Sequence, residues 1–347
     1  MKFRLILTAV LSAALFSCDG DDDKAFNIPL GSYQGGFFVL NEGNASSGSV
    51  TFSTYNYSLL KQDIFGAENQ GEGLGGYTQS MFFDDERAYV ISSGSNQISV
   101  VNRYTFRHIA TIDTGLSNPR YGVVHNGKAY VTNNAGFMDL TDDYLAVIDL
   151  SDFTLDAPIA LGAIAEKIFV QNDKLYVLNG SYGEGNSIKV INPDSGSVDA
   201  TIALSQSPNS FAIDGQKLYV LTNSSFSSPG PSHLIRINLA TDAVESDITF
   251  PASMVSAQNL NIRDGIAYFS IGSKIYDEPL TSNTVSESEA FTSAATTLYG
   301  FQIFGVGLYI TDAKDYASDG ELLIYSPQGS LLKTLQTGQI PNSVYFN

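Results

Sequence analysis

The feature that most restricts the fold is a short aromatic run that returns six times: Ala88-Tyr89-Val90, Ala129-Tyr130-Val131, Leu175-Tyr176-Val177, Leu218-Tyr219-Val220, Ala267-Tyr268-Phe269 and Leu308-Tyr309-Ile310. The central tyrosines lie 41, 46, 43, 49 and 41 residues apart. With β-rich runs on either side, that is the period of a four-stranded antiparallel blade rather than of a helical or leucine-rich repeat. Phe38 opens the series 51 residues before Tyr89. Tight-turn clusters precede the runs, at Asp84-Asp85-Glu86, Asn126-Gly127, Asn172-Asp173, Asp214-Gly215, Asp264-Gly265 and Gly305-Val306-Gly307. Such clusters between β-rich segments read as hairpins. A variable loop follows each run, then a third strand such as Ile98 to Val101 or Leu145 to Ile148, and a fourth such as His108 to Ile112.

The chain ends in Pro341-Asn342-Ser343-Val344-Tyr345-Phe346, which reads as the first strand of a blade, whereas Phe37-Phe38-Val39 reads as a second strand. The two ends are therefore expected to complete one shared blade, hiding the edges that an open ring would expose. The predicted fold is all-β, a seven-bladed β-propeller of four-stranded antiparallel blades over residues 31–347, with no second domain.

Residues 1–17 have the layout of a secretion signal: Lys2 and Arg4, an apolar run from Leu5 to Phe16, then Ser17-Cys18. The apolar run is too short to span a bilayer. Cys18 is the only cysteine and sits at the cleavage point, so it is expected to carry the lipid anchor. The next residues, DGDDDK, are a like-charged run that cannot bury apolar surface, and residues 18–30 are read as a solvated tether. Acidic stretches after the anchoring cysteine resemble the signal that sends lipoproteins of some Gram-negative bacteria to the cell surface. The expected location is the outer membrane, lipid-anchored and facing outward. Loss of residues 1–17 leaves 16 basic against 36 acidic residues, a formal charge of −20. Nucleic acid is excluded as a partner by that charge, and so is adhesion to anionic headgroups.

The second repeat, TGLSNPRYGVVHNGKAYVTNN followed by YLAVIDL, resembles the repeat of YVTN/YncE-like propellers, named for Tyr130-Val131-Thr132-Asn133. The opening segment, GGFFVLNEGNASSGSVTFSTYN, is similar to surface lipoprotein propellers found beside TonB-dependent transporters, a group that includes cobalamin-capturing proteins. This resemblance implies a non-catalytic binding protein that captures a small ligand, a corrinoid among them, and delivers it to an outer-membrane TonB-dependent transporter.

An enzyme needs a nucleophile, a base or a metal set, and the histidines are only His108, His125 and His233. Their spacing supports neither a Ser-His-Asp set nor a His-rich metal site, so no catalytic residue is assigned. A lactonase-like propeller hydrolase and a protein-binding scaffold are the alternatives. Two acidic loops, with Asp139, Asp142 and Asp143 and with Asp312, Asp315, Asp319 and Glu321, are the candidates for calcium, although neither has the spacing of an EF-hand. The Gly-rich stretch Gly180 to Ser187 is read as a flexible hairpin loop.

The loops between second and third strands should share one face of the ring, and recognition belongs on such loops. The ligand-binding candidates there are Asn41, Asn133, Phe137, Tyr182, Phe226, His233, Lys314 and Tyr316. The connections entering each new blade reach the same face and add Tyr77 and Arg120, with Gln79, Asn118, Asn209 and Asn342 near the axis. Arg120 could hold an anionic ligand or pair with one of the many acids.

Overall fold

The computed structural model describes residues 30–136, 139–181, 183–225 and 229–347. Among them, 28 strands form seven antiparallel sheets of four. Numbering blades from the composite one, the innermost strands are Pro341–Phe346, Thr78–Phe83, Pro119–His125, Ile168–Gln171, Ser207–Asp214, Gln258–Arg263 and Leu298–Phe304. The second strands are Gly36–Asn41, Arg87–Ser92, Lys128–Asn133, Lys174–Ser181, Lys217–Asn223, Ile266–Ile271 and Gly307–Asp312, and they carry Phe38 and the six repeat tyrosines. The ring is a seven-bladed β-propeller, as the repeat spacing predicts. Cys18 and residues 1–17, expected to be anchor and secretion signal, lie outside the described residues.

The repeat tyrosine recurs because it joins a ring to a hydroxyl. Tyr89 stacks on Phe82 with centroids 4.6 Å apart, and Tyr176 stacks on Phe169 at 4.9 Å. Their hydroxyls reach the periphery and donate to Asp84 Oδ2 at 2.8 Å and Asp242 Oδ1 at 2.7 Å. Burial, reinforced by those carboxylates, pushes both phenols above their usual range. Each such ring contributes about 1.5–3 kcal/mol by burial alone. The hairpin turns match their residues: Asn126 and Gly127 have φ of 48° and 76°, the pair of positive angles that a type I′ turn requires.

Hydroxyls stitch one blade to the next. Ser80 Oγ donates to the Arg120 carbonyl at 2.6 Å, and Thr132 Oγ1 to the Glu166 carbonyl at 2.7 Å. Ring closure pairs Phe37 with Phe346 and Val39 with Val344. Asn347 fastens it, its Nδ2 donating to the Tyr33 carbonyl at 2.6 Å while its Oδ1 accepts from Arg103 Nε at 2.8 Å.

Two features depart from expectation. A short helix, Ile64–Glu68, fills the long interval between Phe38 and Tyr89, with Asp63 Oδ1 accepting from the Gly66 N–H and with Ile64 and Phe65 buried. The Gly-rich stretch from Gly180 is not a loop. Strands Lys174–Ser181 and Glu184–Ile191 carry the ladder outward to a Ser181–Glu184 pair, since glycine leaves the backbone hydrogen bonds intact.

Candidate functional site

A β-bulge in the innermost strand of six blades sets side chains on the axis. In blade 2, Thr78 pairs with Ser92 and Ser80 with Ile91, which leaves Gln79 unpaired. The same shift leaves Arg120 and Tyr121, Asn209, Asn259 and Leu260, Tyr299, and Asn342 out of register in blades 3, 5, 6, 7 and 1. A bulge turns the extra residue away from the pleat, here toward the centre of the ring. The residue two before the ring position takes a left-handed backbone in four blades, at Tyr77, Asn118, Ser256 and Ile340.

The result is an axial cavity of about 390 Å³ to which every blade contributes: Asn342, Gln79, Arg120, Glu166, Asn209, Gln258 and Tyr299 in ring order. Glu42, Tyr121, Lys167 and Gln302 complete much of its wall. Arg120 grips Glu166 with both arms, Nε to Oε2 at 3.1 Å and a terminal nitrogen to Oε1 at 2.9 Å, each side chain about one-eighth exposed. Tyr299 donates its hydroxyl to Glu42 Oε2 at 2.9 Å. Burial raises the affinity of Glu42 for its proton, opposed by that hydrogen bond and by Arg120. Burial also depresses Lys167, whose ammonium lies 5.7 Å from the Tyr121 ring centre. Gln79 Nε2 donates to the Tyr121 hydroxyl at 3.1 Å. The amides of Asn209 and Asn342 tie down neighbouring carbonyls, at Ala257 and at Thr78 and Gln79. Asn342 Oδ1 is buried with no donor in reach among the described residues.

Of the sequence candidates, Arg120 lines the cavity, as do Gln79, Asn209 and Asn342. Tyr316, half-exposed, packs edge-on to Tyr299 at 5.8 Å and extends the mouth. Tyr77 is also exposed on this face, outside the cavity wall. Lys314 is ion-paired to Glu321 at 3.1 Å. Asn41 and Asn133 need correcting as ligand contacts. Both are fully buried, Asn41 bonded to Ser49, Thr51 and the Gly338 N–H, Asn133 to the Val131 carbonyl and the Ser117 N–H. They close loops rather than meet solvent. His233 starts the third strand of blade 5, beside the loop it was expected to flank, and pairs with Asp247 Oδ1 at 2.6 Å. Phe137, Tyr182 and Phe226 lie outside the described residues.

Three carboxylates of the acidic loops are taken up by backbone N–H groups, of the loops and of the adjoining connections. Asp143 accepts from the Ala135 and Ala165 N–H groups, Asp312 from those of Thr296, Thr297 and Lys314, and Asp315 from those of Ala317 and Ser318. Among the described residues no three His, Cys, Asp or Glu side chains converge where an ion could sit.

Glu42, Glu166, Lys167, Gln258 and Tyr299 escape a reading of motifs, yet a signal was present. Gln79, Arg120, Glu166, Asn209, Gln258 and Tyr299 each stand ten residues before a repeat tyrosine.

Fold and cavity together define a β-propeller with a polar axial site. Residues 35–337 match the family described as a domain of unknown function, DUF5074, and the chain belongs to that family. No curated protein matches. Among solved structures, the chain is similar to a quinoprotein alcohol dehydrogenase-like protein from Bacteroides thetaiotaomicron, at 16% identity and TM-score 0.68, over 90% of this chain and 78% of that one. It is similar to the dihydro-heme d1 dehydrogenase NirN at 13% identity and TM-score 0.55, over 91% and 76%. BamB from Moraxella catarrhalis gives 13% and 0.53, over 87% of both chains. At these identities the likeness is one of fold.

Proposed function

We propose that this protein is an exported, lipid-anchored, non-catalytic binding protein that captures a small polar ligand over the axial cavity and delivers it to a TonB-dependent outer-membrane transporter. The observation that carries the reading is the ring of seven side chains, one from each blade and rich in amides, around one cavity. Amides donate and accept without demanding charge, and they suit a neutral ligand fringed with the same groups. The resemblance of residues 35–56 favours a corrinoid, a flat macrocycle bearing amide arms. It is too broad for a cavity of about 390 Å³, so it would lie across the mouth against Tyr316 and Tyr77 with its arms directed inward.

The test is calorimetric titration of the soluble fragment from Asn27 onward with cobalamin. One-to-one binding is expected, and Gln79→Ala or Tyr316→Ala should each lower affinity roughly 5- to 30-fold, the equivalent of about 1–2 kcal/mol. Absence of heat with cobalamin would remove the corrinoid from the reading.

A further inference from the structure

Strands that run outward in a meander place their turns alternately on two faces. The loops between second and third strands share the cavity face, and the turns between first and second and between third and fourth strands share the opposite one. The chain enters the ring on that opposite face, where the Tyr33 N–H donates to the carbonyl of Tyr104 in the outer turn of blade 2 and Asn347 Nδ2 donates to the Tyr33 carbonyl. Residue 18 lies twelve residues before Leu30, so a lipid there is held within about 40 Å of this entry point.

The entry face is acidic or polar over most of its hairpins, with Asp84-Asp85-Glu86, Asn126-Gly127, Asn172-Asp173, Asp214-Gly215 and Asp264-Gly265 at five of six tips. Blade 7 differs, because its tip is Gly305-Val306 with Val306 77% exposed. Beside it Phe304, 42% exposed, stacks on Tyr55 at 5.4 Å and on Phe346 at 4.1 Å. The Tyr55 hydroxyl donates to the Asn347 carbonyl, so this apolar sector adjoins the point where the tether arrives.

We infer that Tyr55, Phe304 and Val306 form a contact surface for the bilayer, one that turns the cavity face away from the membrane. The inference rests on the lipid anchor at Cys18 put forward above. The patch is too small to recruit free protein, but the anchor makes the contact intramolecular and a weak preference becomes decisive. The acidity of the chain selects uncharged headgroups, and aromatic rings favour the headgroup boundary.

The test uses full-length lipidated protein in phosphatidylcholine vesicles containing spin-labelled lipid. A fluorophore is placed at Ser58→Cys or Ala45→Cys, exposed positions of blade 1 on the entry face and the cavity face. Flotation and the intact mass report the anchor separately. The expected result is loss of most of the fluorescence at position 58, little loss at 45, and disappearance of the difference in Val306→Asp. Equal quenching at both positions in floated, acylated protein, or a difference indifferent to Val306→Asp, overturns the contact surface while leaving the anchor intact. Protein that neither floats nor carries acyl mass overturns the anchor and the contact with it.

Discussion

Arg120 and Glu166 come from neighbouring blades and meet on the axis, so each is the other's main compensation for lost hydration. Removing one partner of such a pair typically costs about 3–5 kcal/mol, because the survivor stays dehydrated. Arg120→Ala should therefore destabilise the protein more than the double variant Arg120→Gln with Glu166→Gln, as read by denaturant midpoints. Asp143 presents the opposite electrostatics. Burial, aided by the charge of Asp142, raises its carboxyl to about 6, against the pull of the Ala165 and Ala135 N–H groups. The folded state then binds this proton more tightly than the unfolded chain, so the group adds stability as the pH falls from 7 through 6. Asp143→Asn turns an amide toward two N–H donors and should cost about 1–3 kcal/mol, with the deficit larger at pH 5 than at pH 7. Both acids stand in the sequence as ordinary residues. A single chain does not display which of 36 carboxylates will be desolvated, and the same blindness placed Asn41 and Asn133 in the ligand site when they sit in the core.

At the scale of strands and turns, the β pattern was legible because apolar alternation and turn chemistry act locally. Asn126-Gly127 is the plainest case. Gly127 has φ of 76° with nothing within 4 Å of a would-be Cβ, so the cost of Gly127→Ala is purely conformational, about 1–2 kcal/mol and visible as a lower melting temperature. Bulges were not legible. They leave no mark on hydrophobic periodicity, since the inserted residue faces neither the core nor the outer surface of its blade, and so Tyr299 went unseen, as did Gln258, which pairs with Ser270 just before its bulge, and Glu166, which precedes the strand Ile168–Gln171. Residues 180–187 were misread for a related reason, as glycine signals a turn and yet remains competent in a ladder. The helix Ile64–Glu68 is too short for a 3.6-residue period to emerge.

For the whole molecule, closure was the most readable property, because a first strand at one end and a second strand at the other admit few arrangements. Deleting residues 341–347 strips the inner strand from blade 1 and uncovers Phe37, Val39 and Tyr309, which pack around Val344 and Phe346. The loss should be comparable to the full stability of a domain, on the order of 5–15 kcal/mol, and circular dichroism of the truncated protein should show no cooperative melt. The ring of bulges has a different consequence. The seven axial side chains, asparagine, glutamine, arginine, glutamate, asparagine, glutamine and tyrosine in order, line one cavity, and most of them also reach the next blade, Gln79 to Tyr121, Arg120 to Glu166, Asn209 to the Ala257 carbonyl, Tyr299 to Glu42 and Asn342 to the Thr78 and Gln79 carbonyls. They form a short word whose letters are bound to one another as well as to the page on which it is written. A new letter at one position therefore calls for a matching letter in the neighbouring blade.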